Sequence, residues 1–347
     1  MAYTPINKST DYFNTKLWTG TGSEQTISGV EFQPDMVWLK QRTSSTRNHN
    51  LYDAVRGVTK RIYPDDTSAE DTDAQSLKSF NADGFVLGTS TNVNQNGGTY
   101  ASWNWKANGQ GSSNTDGSIN TTYTSANTTS GFSIIQYTGN ATASATIGHG
   151  LGKIPTMIIF RRYAQAENWD VYHQAIGNAK SIRLNETGAA FDNATALTST
   201  TPTSNLITLG TSVTTNANGN PMIAYCFADV QGFSKMGSYI GNGNADGTFA
   251  YTGFKPAFVM TRPSSGVGSW YMLDNKRANP FNVVTGRLEA DGSGTENTGF
   301  TWCDFTSNGF KIRTTEGGIN ASGVTFIYMA FAEEPLVSTN GNAATAR

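Results

Sequence analysis

The chain has 347 residues, more than the ~100–150 typical of one domain, so several compact units are expected. Its formal net charge of −2 supplies no basic field for nucleic acid, and only 14% of residues are charged against about 25% in an average protein, with Ser, Thr, Asn and Gly standing in their place. No apolar window reaches the roughly 18 residues of a membrane span, and the start, Met-Ala-Tyr-Thr-Pro-Ile-Asn-Lys, lacks a charged region followed by an apolar run, so neither membrane insertion nor a secretion signal is expected.

Taken in chain order, the same elements recur three times. Each copy opens on a strand ending in a glycine loop: Tyr12-Phe13 to Thr19-Gly20-Thr21-Gly22, then Gly131-Phe132-Ser133 to Tyr137-Thr138-Gly139, then Gly232-Phe233-Ser234 to Tyr239-Ile240-Gly241. A proline strand follows, with Pro34 before Met36-Val37-Trp38-Leu39-Lys40, Pro155 before Met157-Ile158-Ile159-Phe160-Arg161 and Pro256 before Phe258-Val259-Met260-Thr261-Arg262; the cation falls six residues after each proline. Proline at the first position of a strand costs no ladder bond, and the nearly continuous apolar run suits a central strand covered on both faces.

Next comes a short aromatic strand: Leu51-Tyr52-Asp53, Trp169 to His173, and Trp270 to Asp274. A turn and strand then appear at Asp83-Gly84-Phe85-Val86-Leu87 and Asn308-Gly309-Phe310-Lys311-Ile312, and more loosely at Asn205 to Gly210; Asp-Gly and Asn-Gly before alternating apolar residues are strong hairpin signals. A closing strand ends each copy, at Tyr100 to Trp105, Ile223 to Asp229 and Ile327 to Glu333. Its aromatics Trp105, Phe227 and Phe331 lie 71, 72 and 75 residues after the prolines.

No stretch of about 12 residues keeps a helical period, while short strands and Gly/Asn/Ser turns recur, so the expected fold is all-β: three tandem β-sandwich (jelly-roll or concanavalin A-like) modules. The expected spans are 1–106, 117–230 and 231–347, with 107–116 a linker and Ile119 to Ala126 a further strand of the second module. The short junction at Val230 to Gly232 predicts tighter packing between modules two and three than between one and two.

Little in the sequence has the spacing of a catalytic or metal site. The three histidines, His49, His149 and His173, are scattered, and only His173 takes an anchor position, in place of Asp53 and Asp274. Gly148-His149-Gly150-Leu151-Gly152 precedes a strand instead of opening a helix, so it reads as a tight loop and not a phosphate cradle. The acidic pairs Asp65-Asp66, Glu70-Asp71 and Glu333-Glu334 are the material for a two-carboxylate glycosidase, but they read as solvated loops or a strand end. Cys226 and Cys303 lie in apolar or aromatic stretches and read as buried free thiols. Trp38, Trp103, Trp105, Trp169 and Trp270 sit on recurring strands and read as core; Trp18 and Trp302 are less constrained by the repeat. Catalytic, metal and cofactor residues are therefore none, and ligand-binding residues are unassigned; the loops Gln41–Asn50, Gln165–Asn168 and Pro263–Ser269 differ in every copy and are where a module-specific function is expected.

Gly131-Phe132-Ser133-Ile134-Ile135-Gln136-Tyr137-Thr138-Gly139, followed by His149 to Phe160, Trp169-Asp170-Val171-Tyr172-His173 and the closing Ala330-Phe331-Ala332-Glu333-Glu334-Pro335-Leu336-Val337, resembles a virion protein family of tailed phages, common in marine ones. The resemblance covers nearly the whole chain. It implies lectin-like or jelly-roll sandwich modules repeated in tandem in fibres and other surface proteins of the particle, and it supplies no catalytic residues. The expectation is a non-enzymatic virion structural protein, made in the host cytoplasm: a tail fibre or related adhesin that attaches to host-surface glycan. The alternatives are a head-decorating or purely architectural subunit, and a tailspike enzyme cutting polysaccharide. Partners would be other virion proteins and, because few charges guard the sheet edges, further copies of the chain, a trimer being the expectation for a fibre.

Overall fold

Three antiparallel sheets repeat one strand order in a computed structural model that describes residues 3–44, 46–277 and 282–343, so the outermost residues of the first and third expected spans lie outside the described residues. In each sheet the order is opening, closing, proline, aromatic strand. In the first copy these strands are Phe13–Thr19, Thr99–Trp105, Met36–Gln41 and Asn50–Asp53; in the second, Phe132–Thr138, Pro221–Phe227, Met157–Arg162 and Asp170–His173; in the third, Ser234–Ile240, Thr325–Pro335, Phe254–Pro263 and Tyr271–Asp274. The register repeats as well: Met36 faces Trp105 and Asp53, Met157 faces Phe227 and His173, and Phe258 faces Phe331 and Asp274. The molecule is all-β, its α-helical pieces being single turns of four residues.

Because side chains alternate across a strand, each of these sheets presents two apolar faces. Met36 and Trp38 point into one large cluster with their counterparts from the other two copies, while Val37 and Leu39 point the other way, onto a smaller cluster with Ile27, Leu77, Phe85 and Leu87. The second faces are covered by short outer sheets: Gln25–Ser28, Gly84–Leu87 and Leu77–Asn81 in copy one, Ala145–Gly148 and Leu206–Leu209 in copy two, Phe249–Tyr251, Gly309–Ile312 and Cys303–Thr306 in copy three. Burial on both faces is why the proline strand reads as a continuous apolar run, and every residue of Met36–Gln41 is buried. The hairpin glycines are sterically required: a Cβ on Gly84 would lie 2.0 Å from the Ile27 carbonyl oxygen, and one on Gly309 2.1 Å from that of Ala250. Pro256 lies inside its strand, and the ladder shifts register on either side of it.

The shared cluster has a threefold arrangement. Trp105, Phe227 and Phe331 form a triangle, with ring centroids 6.3, 5.7 and 6.1 Å apart for the pairs Trp105–Phe227, Trp105–Phe331 and Phe227–Phe331. Aromatic pairs of this kind contribute roughly 0.5–1.5 kcal/mol each beyond the area they bury. The void beside the triangle measures only about 10 Å³ and is walled by side chains such as Met36, Trp38, Tyr225 and Met329, too small and apolar to hold a ligand. The shared core draws on all three copies. Residues 107–116 are held against copies one and two: the Ala107 amide donates to Asp35 Oδ2 at 2.7 Å, the Asn108 amide to Ser125 Oγ at 2.8 Å, and Ser112 bridges to Thr124. The added strand is Tyr123–Asn127, paired with Phe132–Thr138. Copy three is closed onto copy one, where Tyr12 packs on Phe233 and the Thr339 amide donates to Asn7 Oδ1.

Candidate functional site

His49, His173, Trp169, Trp270, Arg161, Arg262, Asp53 and Asp274 converge on the three boundaries between copies. Superimposing the strand registers puts His49, Trp169 and Trp270 at one position, just before each aromatic strand. All three send a ring N–H to the same carbonyl of the preceding copy. Trp169 Nε1 donates to the Tyr63 carbonyl at 2.8 Å, and Trp270 Nε1 to the Arg183 carbonyl at 2.9 Å. His49 Nε2 lies 2.9 Å from the Glu289 carbonyl, and its Nδ1 accepts from Trp38 Nε1 at 2.9 Å, which leaves the proton on Nε2. Their backbone amides donate to Asp65, Asn185 and Asp291 of their own copies, fixing each ring's base.

The cations six residues after the prolines lie alongside. Arg161 Nη2 donates to the Thr67 and Ser68 carbonyls of copy one, and Arg262 donates to the Arg183, Glu186 and Gly188 carbonyls of copy two. Each guanidinium also lies over its own tryptophan, 5.4 Å from the Trp169 ring and 5.2 Å from that of Trp270. Burial lowers both to about 10, and Lys40 to about 8. Beside His49 an ammonium replaces the guanidinium; burial, and then the charge of Lys40, hold that imidazole well below its usual value.

A second set of contacts runs the other way around the ring. Asp53 accepts from the Tyr225 hydroxyl at 2.6 Å and Asp274 from Trp103 Nε1 at 3.0 Å, so copy one reaches copy two and copy three reaches copy one. Each carboxylate also binds an arginine three residues on, and that arginine a glutamate: Asp53–Arg56–Glu70 and Asp274–Arg277–Glu296. Burial alone would raise Asp274, but the charge and hydrogen bonds of Arg277 outweigh it and hold the carboxyl below the usual range. In copy two the equivalent residues are His173, Ile176 and Ala190. The reason lies across the boundary, where Met329 stands in the place of Trp103 and Tyr225 and has no proton to donate. A carboxylate there would be buried without a partner, so the whole ionic set is replaced together, and His173 Nε2 instead meets the Tyr328 carbonyl at 3.1 Å. Burial lowers His173 to about 4, so the ring is neutral and donates from Nε2 at neutral pH.

The loops that differ in every copy share this task. Glu296 and Arg42 exchange a backbone bond and a 2.6 Å ion pair, the Glu167 amide donates to the Thr67 carbonyl, and the Gly268 amide to that of Thr187. The acidic pairs are engaged too: Asp65 holds the His49 amide, Asp71 pairs with Arg61, and Glu333 with Lys255. His149 is buried in the loop before copy two's proline strand, its Nε2 3.2 Å from the Thr203 carbonyl. Cys226 and Cys303 are free and buried, and burial raises both thiols. All seven tryptophans are buried; Trp18 occupies the position of Tyr137 and Tyr239 and stacks on Tyr100 at 5.3 Å, and Trp302 fills copy three's own core beneath Arg287. No group of three or more metal-ligating side chains occurs among the described residues.

A family model described as a domain of unknown function, DUF7483, matches residues 8–335. No curated protein matches the chain.

Proposed function

We propose that this chain, which belongs to the DUF7483 family, is a non-enzymatic structural protein of a phage particle that attaches to host-surface glycan, its three copies being β-sandwich modules of jelly-roll type closed into one body. The observation that carries this reading is the ring of contacts between copies. His49, His173, Arg161, Arg262, Asp53 and Asp274, which could serve chemistry, are taken up in holding the three sheets together, and with only 14% of residues charged the chain is rich in amides and hydroxyls. Such a composition suits hydroxyl-rich ligands, and the resemblance to virion proteins supports the setting. The tailspike alternative is weakened because Asp65, Asp66, Glu70, Asp71 and Glu333 are bound to arginine, lysine or backbone amides.

Assembly with other virion proteins and with further copies is part of the proposal. Three repeats already complete a threefold ring within one chain, so a trimer of chains would join closed bodies. An architectural role has its own support, since a body with three related faces fits a symmetric site on a particle. Binding of the purified chain to susceptible cells, together with a reconstruction locating it at the tail, is the expected result. Failure to bind such cells, with density on the capsid, would favour the architectural subunit.

A further inference from the structure

We infer that the open flank of copy three, where Tyr251 stands beside the junction 229–235, is a saccharide-binding cleft. This rests on the glycan reading above and assigns it a place.

In each copy the opening strand and the first strand of the outer sheet follow one another along one flank. In copy two a long segment, 106–131, precedes the opening strand and roofs this flank. Tyr123–Asn127 pairs with the opening strand, the Ile119 amide donates to the Thr146 carbonyl at 2.9 Å, and a Cβ on Gly150 would lie 3.0 Å from that of Ala126. Copy three is joined to copy two by 228–233 alone, which leaves no chain for such a roof. Ser234 holds the register of Phe132, and Gly253 that of Gly150. Where the roof would lie there is instead a cleft of about 440 Å³, within the ~300–1,000 Å³ range of small-molecule sites, lined by Tyr3, Asp229, Gln231, Lys235, Tyr251 and Thr252 among others.

The cleft is not built for another strand. In copy two Phe132 and Ile134 face Asn127 and Ser125 of the roof. Their counterparts Ser234 and Met236 are already engaged: the Ser234 amide donates to the Val230 carbonyl at 2.9 Å, the Met236 amide to Asp229 Oδ1 at 2.9 Å, and the Met236 carbonyl accepts from Gln174 Nε2 at 2.6 Å. What the cleft offers is side chains that solvent reaches. Among the described residues only Phe249, Tyr251 and Phe300 are aromatic and exposed, and the first two stand on the same face of one strand. Copy one has Thr26 and Ser28 at these positions, and copy two Thr146 and Gly148. Tyr251 is 55% exposed and its ring runs toward Gly253, where a Cβ would lie 3.5 Å from the hydroxyl. Exposed aromatic surface of this kind marks a contact site, and the C–H face of a pyranose covers it while keeping the sugar's hydroxyls at the rim. Hydrogen-bonding groups stand there to meet them. Lys235 Nζ lies 2.8 Å from Asp229 Oδ2, which holds the ammonium and leaves it protons to donate, and its side chain is 42% exposed. The exposed Gln231 amide has no partner among the described residues. Because Lys235 and Asp229 balance each other's charge, the cleft selects a neutral sugar.

The test uses the full chain on an array of neutral glycans, followed by saturation-transfer NMR with the methyl glycosides of glucose, galactose, mannose and N-acetylglucosamine. Tyr251→Ala removes the ring and Gln231→Trp places an indole over the cleft, both from exposed positions. Phe300→Ala is the control: it removes an aromatic ring, 48% exposed, from the loop before Cys303–Thr306 at the opposite edge of the same sheet. Thermal unfolding of all three variants should match the parent. The expected result is glycan binding reduced roughly tenfold or more by Tyr251→Ala and by Gln231→Trp, and unchanged by Phe300→Ala. Binding that persists in either cleft variant, or falls equally in Phe300→Ala, overturns the cleft and leaves the adhesin reading standing. No binding to any glycan by the parent chain overturns both, and uptake by that chain of a peptide with the sequence of residues 116–127 would then assign the flank to a protein partner.

Discussion

Replacing Phe331 by alanine probes the axis on which the three copies meet. The ring is 1% exposed and lies 4.9 Å from Phe13, 5.7 Å from Trp105, 6.1 Å from Phe227 and 5.8 Å from Phe233. Its neighbours are anchored on three different sheets, so the space cannot collapse from one side, and the upper part of the ~3–5 kcal/mol range for buried Phe→Ala applies. Hydrogen exchange read strand by strand gives the assay. If the core is shared, amides throughout Thr99–Trp105, Pro221–Phe227 and Thr325–Pro335 lose protection together, by roughly 10³–10⁴-fold. Loss confined to Thr325–Pro335, with the other two closing strands unchanged, would refute a shared core.

The logic of the inter-copy contacts predicts that His173→Asp alone destabilises by several kcal/mol, since it buries a carboxylate opposite Met329; urea denaturation should show stability returning when Ile176→Arg, Ala190→Glu and Met329→Tyr are added. Asp274→Ala, which strips Arg277 of its buried partner, should cost about 3–5 kcal/mol, and a double-mutant cycle with Trp103→Phe should show strong coupling. Acid dependence follows from His173, lowered to about 4 from 6.5. The unfolded chain takes up its proton first, so this residue's contribution is intact above pH 6.5 and falls by about 1.4 kcal/mol per pH unit until about pH 4, some 3 kcal/mol in all. Asp65 and Asp291, raised by burial to about 7 and about 6, act in the opposite sense over the same window, so the comparison is with His173→Gln, which cancels them. Relative to that variant, the parent should weaken on acidification, and an NMR titration placing His173 near 6.5 would contradict it.

Much of the fold could be read from residue pattern. The proline strands, the glycine hairpins and the spacing of Trp105, Phe227 and Phe331 placed the strands because these features answer to local rules of alternation and turn geometry. Closure about a common axis was not legible, since an apolar face does not say what covers it. His49 escaped notice because imidazole and indole look unrelated until both are seen sending a ring N–H to the same carbonyl. Trp18 was missed for a similar reason: in copy three one additional residue lies between Phe233 and Tyr239, so the tyrosine, not the phenylalanine, keeps the register. The replacement of Asp–Arg–Glu by His–Ile–Ala in copy two makes sense only with Met329 in view, a residue about 150 positions away whose relevance is purely spatial.

Differential scanning calorimetry of the intact chain tests the closed threefold body most directly. The account predicts one transition, with an enthalpy of roughly 240 kcal/mol near 60 °C and a van't Hoff value equal to the calorimetric one. Two or three resolved transitions, or a calorimetric enthalpy near three times the van't Hoff value, would mean that the copies fold as separate units, contrary to a shared core.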